Sequence, residues 1–417
     1  MRNLIIILFL FFGSFLQAQQ KITLNECYDL AEKNYPLAKQ TNLLQQKSAL
    51  EIDALNKAKL PKIDINAQAT YQSAVTQLPI SLPNVTITPL NKDQYRATLD
   101  VNQLIYNGGM IEANSKLKEV QAQTFQQQVA VNLYQLKSRI NYSYMMILLW
   151  QEQNRLLISK KNSILEKISE VKSGVRNGAI LPASEQVLEA ELLKLEQALT
   201  ENSFQRIKEL QNLASLTTTS FAENTILEQP ILNLETNGTR PEIQFFELQQ
   251  TQIEASKDVI SKSNLPKLNA FGQAGYGNPG LNMLNNSFES FYIVGLKLNW
   301  NVFDWNKSKT DKEALDVAKE IISTEKETFE TNNQMQLNEL KSEILKMETI
   351  IKTDVQIIQL REKVLQSYDS QLRNGVITSS DYVTELNNLF DAKTNQKVHE
   401  TQLQLAKINY QTIKGQN

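Results

Sequence analysis

His399 is the only histidine in the chain and Cys27 the only cysteine. A Ser–His–Asp relay or a multi-histidine metal site cannot be built from one such chain. A single cysteine leaves no internal disulfide, even in an oxidising compartment. No phosphate-binding glycine loop and no nucleophile motif is present. Carboxylates are plentiful, with 45 Asp and Glu against 43 Lys and Arg, but they recur at surface positions of helical stretches, where solvation is their ordinary role. One of them, Asp381, opens a helix just after the turn "RNG" (373–375). A first-turn carboxylate is stabilised there by the helix dipole. These residues predict no enzyme, no cofactor and no metal centre.

The elements that carry such residues follow from composition. The chain has 417 residues and a net charge of −2, which excludes a polybasic nucleic-acid binder. Long stretches are dominated by Gln, Asn, Lys and Glu, with few Gly or Pro. Such stretches suit long helices held at narrow apolar seams. At the N-terminus Arg2 precedes "LIIILFLFFGSFL", and "LQAQQ" follows. This reads as a secretory signal peptide over 1–18, cut after Ala18, with a mature chain from Gln19. Cys27 lies beyond the cut, so no lipid is expected on it.

The remainder reads as a tandem repeat. "LPKIDINAQATY" (60–71) returns as "LPKLNAFGQAGY" (265–276), "LDVNQLIYNGG" (99–109) as "LKLNWNVFDWN" (296–306), and "VRNGAI" (175–180) as "LRNGVI" (372–377). The expected domains are a first repeat over 19–216, a linker over 217–239 and a second repeat over 240–417. Each repeat reads helix, strand pair, long helix, turn, helix. In the first, a helix over about 24–59 starts at a Thr23–Glu26 capping box and ends at Leu60–Pro61. Strands follow at about 62–72 and 94–106, then helices to about Lys172 and over about 182–216. In the second, strands are expected at about 267–276 and 290–303, and helices over about 308–371 and 379–414. Gly178 and Gly375 are the left-handed turn residues. Gly108, Gly109 and Asp304 mark the strand-to-helix exits.

Steps of four and three from Val129 give a coiled-coil seam through Leu133, Leu136, Ile140, Ser143, Ile147, Trp150, Asn154, Leu157, Lys161, Ile164, Ile168 and Val171. The second repeat keeps the phase at Leu337, Leu340, Ile344, Met347 and Ile351. A helix of some sixty residues is about 90 Å long, a length suited to crossing a gap.

The strands alternate. Ile63, Ile65, Ala67, Ala69 and Tyr71 oppose Asp64, Asn66, Gln68, Thr70 and Gln72. Tyr292, Val294, Leu296, Leu298, Trp300 and Val302 oppose Lys297, Asn299 and Asn301. A half-buried soluble sheet shows the same period. Export, the want of another core, and aromatics at the strand ends (Tyr71, Tyr95, Tyr106, Tyr276, Trp300, Phe303, Trp305) favour membrane β-strands around a wet lumen. Four strands cannot close a barrel, so the chain must oligomerise through its sheet edges. The fold class is mainly α with membrane β: a tandem-repeat, long α-helical coiled-coil barrel, plus four strands per chain given to an oligomeric transmembrane β-barrel.

With "ITLNECYDLAEKNYPLAKQ", "IYNGG", "VFDWN" and the paired "RNG" turns in order, the chain resembles the TolC-like outer-membrane efflux protein family. The resemblance implies a homotrimer with a twelve-stranded barrel in the outer membrane and a periplasmic helical tunnel. It implies a periplasmic adaptor protein, an inner-membrane transporter that supplies the energy, and a passive role for this chain in efflux or type I secretion. It also implies a periplasmic gate on the helix after the second turn. Asp381 falls on the first gate position, while the second holds Thr384 with Glu385 beside it. The first repeat has Ser184 and Val187 at the matching places. The competing reading is a periplasmic coiled-coil scaffold or adhesin without a channel, which leaves the paired strands unexplained. Cargo stays open among drugs, metals and proteins.

Overall fold

The computed structural model describes residues 21–76, 89–178, 180–230 and 238–415. The expected signal peptide, the middle of the first loop and part of the linker lie outside them. The elements are β1 (Lys21–Ile22), α1 (Leu24–Asn34), a 3-10 turn (Pro36–Ala38), α2 (Lys39–Lys57), β2 (Lys62–Tyr71), β3 (Asp93–Tyr106), α3 (Met110–Tyr134), α4 (Leu136–Arg176), α5 (Ala183–Thr217), β4 (Ile226–Leu227), α6 (Pro241–Ser263), β5 (Lys267–Asn278), β6 (Glu289–Asn299), α7 (Lys307–Arg373) and α8 (Ser379–Lys414).

Three boundaries differ from expectation. The opening helix is two helices, not one. Pro36 follows Tyr35, whose backbone at φ −58 and ψ 137 is extended, as a residue before proline prefers. The long helix of the first half has a local irregularity at Gln135, where the backbone stays right-handed and α4 resumes at once. β6 stops at Asn299, so Trp300 and Val302 lie beyond the strand. Among the described residues its ladder partner is β5, and Asn299 pairs with Lys267, the first residue of β5. Pro266 precedes it and has no N–H to extend the ladder.

The chain forms two compact units, and each takes segments from both halves of the sequence. One is built from the segment ending at Gln40, from Gln128–Ile243 and from Lys326 onward. Its first core joins α1, α4, α5 and α8 through Cys27, Tyr28, Ile140, Tyr144, Leu213 and Ile408. Each fully buried Leu or Ile there contributes about 1.5–3 kcal/mol. The Tyr144 hydroxyl lies 2.8 Å from the Ile22 carbonyl and 2.7 Å from that of Glu228, beside the parallel β1–β4 pair. The second core joins α4, α5, α7 and α8 through Ile164, Val171, Leu188, Leu372, Tyr382 and Leu386.

The seam from Val129 runs through these cores. Leu136, Ile140, Ser143, Ile147, Ile164, Ile168 and Val171 are buried. Lys161 is half-buried and bonds Glu196, while its neighbour Lys160 is the buried lysine, 3.0 Å from Glu191. In α7 only Met347 of the expected seam residues is fully buried.

The other unit comprises Thr41–Gln127 and Gln244–Glu325. Its sheet has the order β2-β3-β5-β6 and every pairing is antiparallel. Among the described residues β2 and β6 are therefore free edges.

Candidate functional site

The sheet separates its two faces by register. Ile65 pairs with Leu99, Leu99 with Ala274, and Ala270 with Leu296, so these residues share one face. Among the described residues no layer covers that face. Ile65 is 81% exposed, Leu296 70% and Tyr292 76%. On the other face, Asp64 pairs with Asp100, and Asp100 with Gln273. Asp100 accepts from Asn66 Nδ2 at 2.6 Å, Thr98 Oγ1 at 2.9 Å and Gln273 Nε2 at 2.5 Å. This face lines a concavity of about 630 Å³ with Asp64, Asn102, Asn269, Lys297 and Asn299 on its walls. One side thus offers hydrocarbon, and the other chiefly hydrogen-bonding groups, with Phe271 and Ile293 among them. Among the described residues no helix is long and apolar enough to cross a membrane.

Both strand-to-helix exits use left-handed backbone. Gly108 and Gly109 have φ +71 and +78, and a Cβ on Gly108 would stand 2.7 Å from Leu265 Cβ. Trp305 and Asn306 occupy the matching places of the second half at φ +55 and +62. The Asp304 carboxylate accepts from the Ser308 side chain and from Asn264 Nδ2 at 2.6 Å, and from the Ser308 backbone N–H at 3.0 Å. These donors hold its pKa down at about 2.

At the paired turns, Gly178 and Gly375 have φ +73 and +70, and open space surrounds both. After the second turn, Thr378 caps α8. Its N–H donates to Asp381 Oδ2 at 2.9 Å, and Asp381 N–H donates back to Thr378 Oγ1 at 3.2 Å. Asp381 is exposed. The Thr378 hydroxyl, then its backbone N–H, hold the carboxyl below its ordinary pKa. Thr384 is also exposed and donates to the Ser380 carbonyl at 2.9 Å. Glu385 is different: it is 5% exposed and faces α7. Arg361 Nη1 reaches both its oxygens, at 3.2 and 3.1 Å, and Asn388 Nδ2 donates at 3.1 Å. Of the expected gate residues, Asp381 and Thr384 offer their polar atoms to solvent.

Sequence reasoning missed the charges that join the two halves near these turns. Lys167 of α4 bonds Asp369 of α7 and Glu170, and its ammonium lies 5.2 Å from the Tyr382 ring centre. Arg373 contacts Glu170 at 2.8 Å and Asp369 at 3.1 Å. His399 Nδ1 lies 2.7 Å from Asp354, a buried carboxylate of α7. Asp354 and Arg361 continue the three-and-four steps of the α7 seam past Ile351. That signal was available, but a search for apolar residues passes over it. Burial pushes the Cys27 thiol up to about 12. Among the described residues no group of three or more His, Cys, Asp or Glu side chains is placed to hold a metal.

The chain has the fold of solved outer-membrane channel proteins. It matches the outer membrane protein VceC of Vibrio cholerae with a TM-score of 0.65 at 13% identity, over 94% of this chain and 96% of that one. It matches the CmeC outer membrane channel of Campylobacter jejuni with a TM-score of 0.64 at 15% identity, over 94% and 85%. The open-state MtrE outer membrane channel of Neisseria gonorrhoeae gives 0.64 at 14%, over 94% and 89%. No known family profile matches the chain, and no curated protein matches it in sequence.

Proposed function

We propose that this chain is a passive outer-membrane duct of an efflux or type I secretion system, and not an enzyme. The observation that carries the reading is the sheet: one face apolar and uncovered, the other polar, with free edges at β2 and β6. An open sheet in lipid leaves unpaired N–H and C=O groups, so the edges need partners. β2 and β6 run in opposite directions, so β6 of one copy pairs antiparallel with β2 of the next, and all apolar faces stay on one side. Two copies would give eight strands and three would give twelve. An eight-stranded barrel is nearly filled by its own side chains, so a conduit favours three copies or more, of which the trimer is the smallest. The likeness in fold to outer-membrane channels supports the same reading.

In this reading the helices of each copy line a periplasmic tunnel, and a periplasmic adaptor and an inner-membrane transporter bring cargo to it. The 373–381 turn stands at the periplasmic mouth. Asp381 recurs there around one axis, where like charges attract cations. Fractionation tests the proposal against a scaffold or adhesin. A duct stays in the outer-membrane pellet until detergent is added, runs as one closed oligomer, and conducts in planar bilayers. Release by salt as a monomer would sink it.

A further inference from the structure

Phe271 is an aromatic residue on the polar face of the sheet. It pairs with Asn102 of β3 and with Gly295 of β6, on the face that also carries Asp100 and Gln273. Gly295 leaves the space that the ring takes, since a Cβ there would stand 2.8 Å from Phe271 Cζ. The ring therefore leans across the strands, half-buried, as an apolar floor to the concavity of about 630 Å³, with Ile293 beside it. The other ring on this face, Phe291, is covered: it is 8% exposed, and the Arg96 guanidinium lies 5.5 Å from its centre.

Around that floor the charges are already answered. Asp100 accepts from Asn66, Thr98 and Gln273, and Asp64 has Lys62 at 3.1 Å. Lys62 and Lys297 stand on the same face and balance the two carboxylates. A cation gains little from such a wall. Asn102 and Asn269 also line the concavity, and among the described residues their amides bond no other group of the chain. An amide carries an acceptor and two donors, so it suits a ligand whose groups both donate and accept. A sugar has such hydroxyls on its rim and an apolar C–H face that packs on an aromatic ring. Apolar surface with a few placed polar groups is the ordinary make-up of a small-molecule site.

We propose that Phe271, Asn102 and Asn269 form a subsite for a neutral saccharide on the lumen wall. This rests on the duct reading and adds a cargo class to it. The phenyl ring takes the C–H face of one sugar unit, and the two amides hold its hydroxyls.

The test is current block in planar bilayers, with maltotriose as the probe. Maltotriose should interrupt the current of the full chain in resolved, concentration-dependent events. Phe271→Ala should weaken that block about tenfold at unchanged open conductance, and Phe271→Tyr should keep it. Asn102→Leu with Asn269→Leu leaves the ring in place and should weaken the block as well, which decides the matter even where Phe271→Ala does not assemble. Equal block of the parent and these variants would mean plain obstruction and overturn the proposal. So would a conducting parent that ignores maltotriose, or one that benzyltrimethylammonium blocks in its place. In each of those cases the duct stands. A parent that carries no current brings down the duct reading and the subsite with it.

Discussion

Asp381 shows how one carboxylate answers to two environments. Within the chain it accepts from the Thr378 hydroxyl and backbone N–H, which lower its pKa. A group depressed in the folded state stabilises above its unfolded pKa of about 4 and loses that contribution as pH falls through the folded value. The protection factors of the Thr378 and Asp381 amides, corrected for intrinsic exchange, should therefore hold at neutral pH and fall only below about pH 4. A ring of such carboxylates acts the other way, since neighbours of like charge raise each other's pKa. Loss of the cap well above that pH would mark close approach in the assembly. Asp381→Ala in planar bilayers should weaken block by divalent cations and shift selectivity, with Ser184→Ala as the control. Unchanged block would leave Asp381 as a helix cap alone. Glycines at the turns are not equivalent either. Gly108→Ala meets both a left-handed backbone and the Leu265 side chain, and should cost about 2–3 kcal/mol. Gly178→Ala meets only the backbone and should cost about 1 kcal/mol. Thermal unfolding in detergent separates them, and equal losses would refute the role given to Leu265.

At the scale of elements, the pairing of α7 with α8 depends on polar residues in seam positions. Arg361 faces Glu385 and Asp354 faces His399. Arg361→Ala leaves Glu385 buried with Asn388 as its remaining donor, which should cost about 1–3 kcal/mol. Replacing both, as Arg361→Met with Glu385→Leu, should recover most of that. A double variant no better than the single one would show that the pair does more than neutralise a buried charge. This pairing marks the limit of what periodicity reveals. The steps from Leu337 to Ile351 show a seam because those residues are apolar. The same steps reach Asp354 and Arg361, but their partners depend on how α7 and α8 meet, which no local pattern states. The capping of α8 by Thr378 and Asp381 was local and therefore legible, whereas the burial of Glu385 was not. Strand faces were legible from alternation, but the end of β6 was not. It depends on Pro266, a residue of the partner strand's approach, and not on β6 itself. The break at Tyr35–Pro36 is also local and legible, because proline disfavours helical geometry in the residue before it.

The whole molecule turns on whether the uncovered sheet face meets lipid. Its exposed Ile, Leu, Val and Tyr side chains form a patch of the kind that soluble monomers rarely expose. A sheet awaiting a soluble partner would show the same patch, so the decisive variant must charge the face without touching the edge. Leu296 and Asn299 allow this. Both lie on β6, the free edge strand, so a substitution at either disturbs pairing with the next copy to a similar degree. They differ in face: Leu296 points with the apolar row and Asn299 with the polar one. Lysine at the bilayer midplane of a barrel costs about 2–4 kcal/mol, and lysine in the lumen costs little. In a trimer the same side chain is charged in every copy, so the penalty multiplies at the step that closes the ring. Leu296→Lys should therefore abolish the closed oligomer in mild detergent and in vesicles, as read by cross-linking or native mass. Asn299→Lys should assemble and alter only ion preference. Equal loss in both would locate the damage at the edge. Assembly by both would mean that the apolar face does not meet hydrocarbon, and the membrane reading would fail with it.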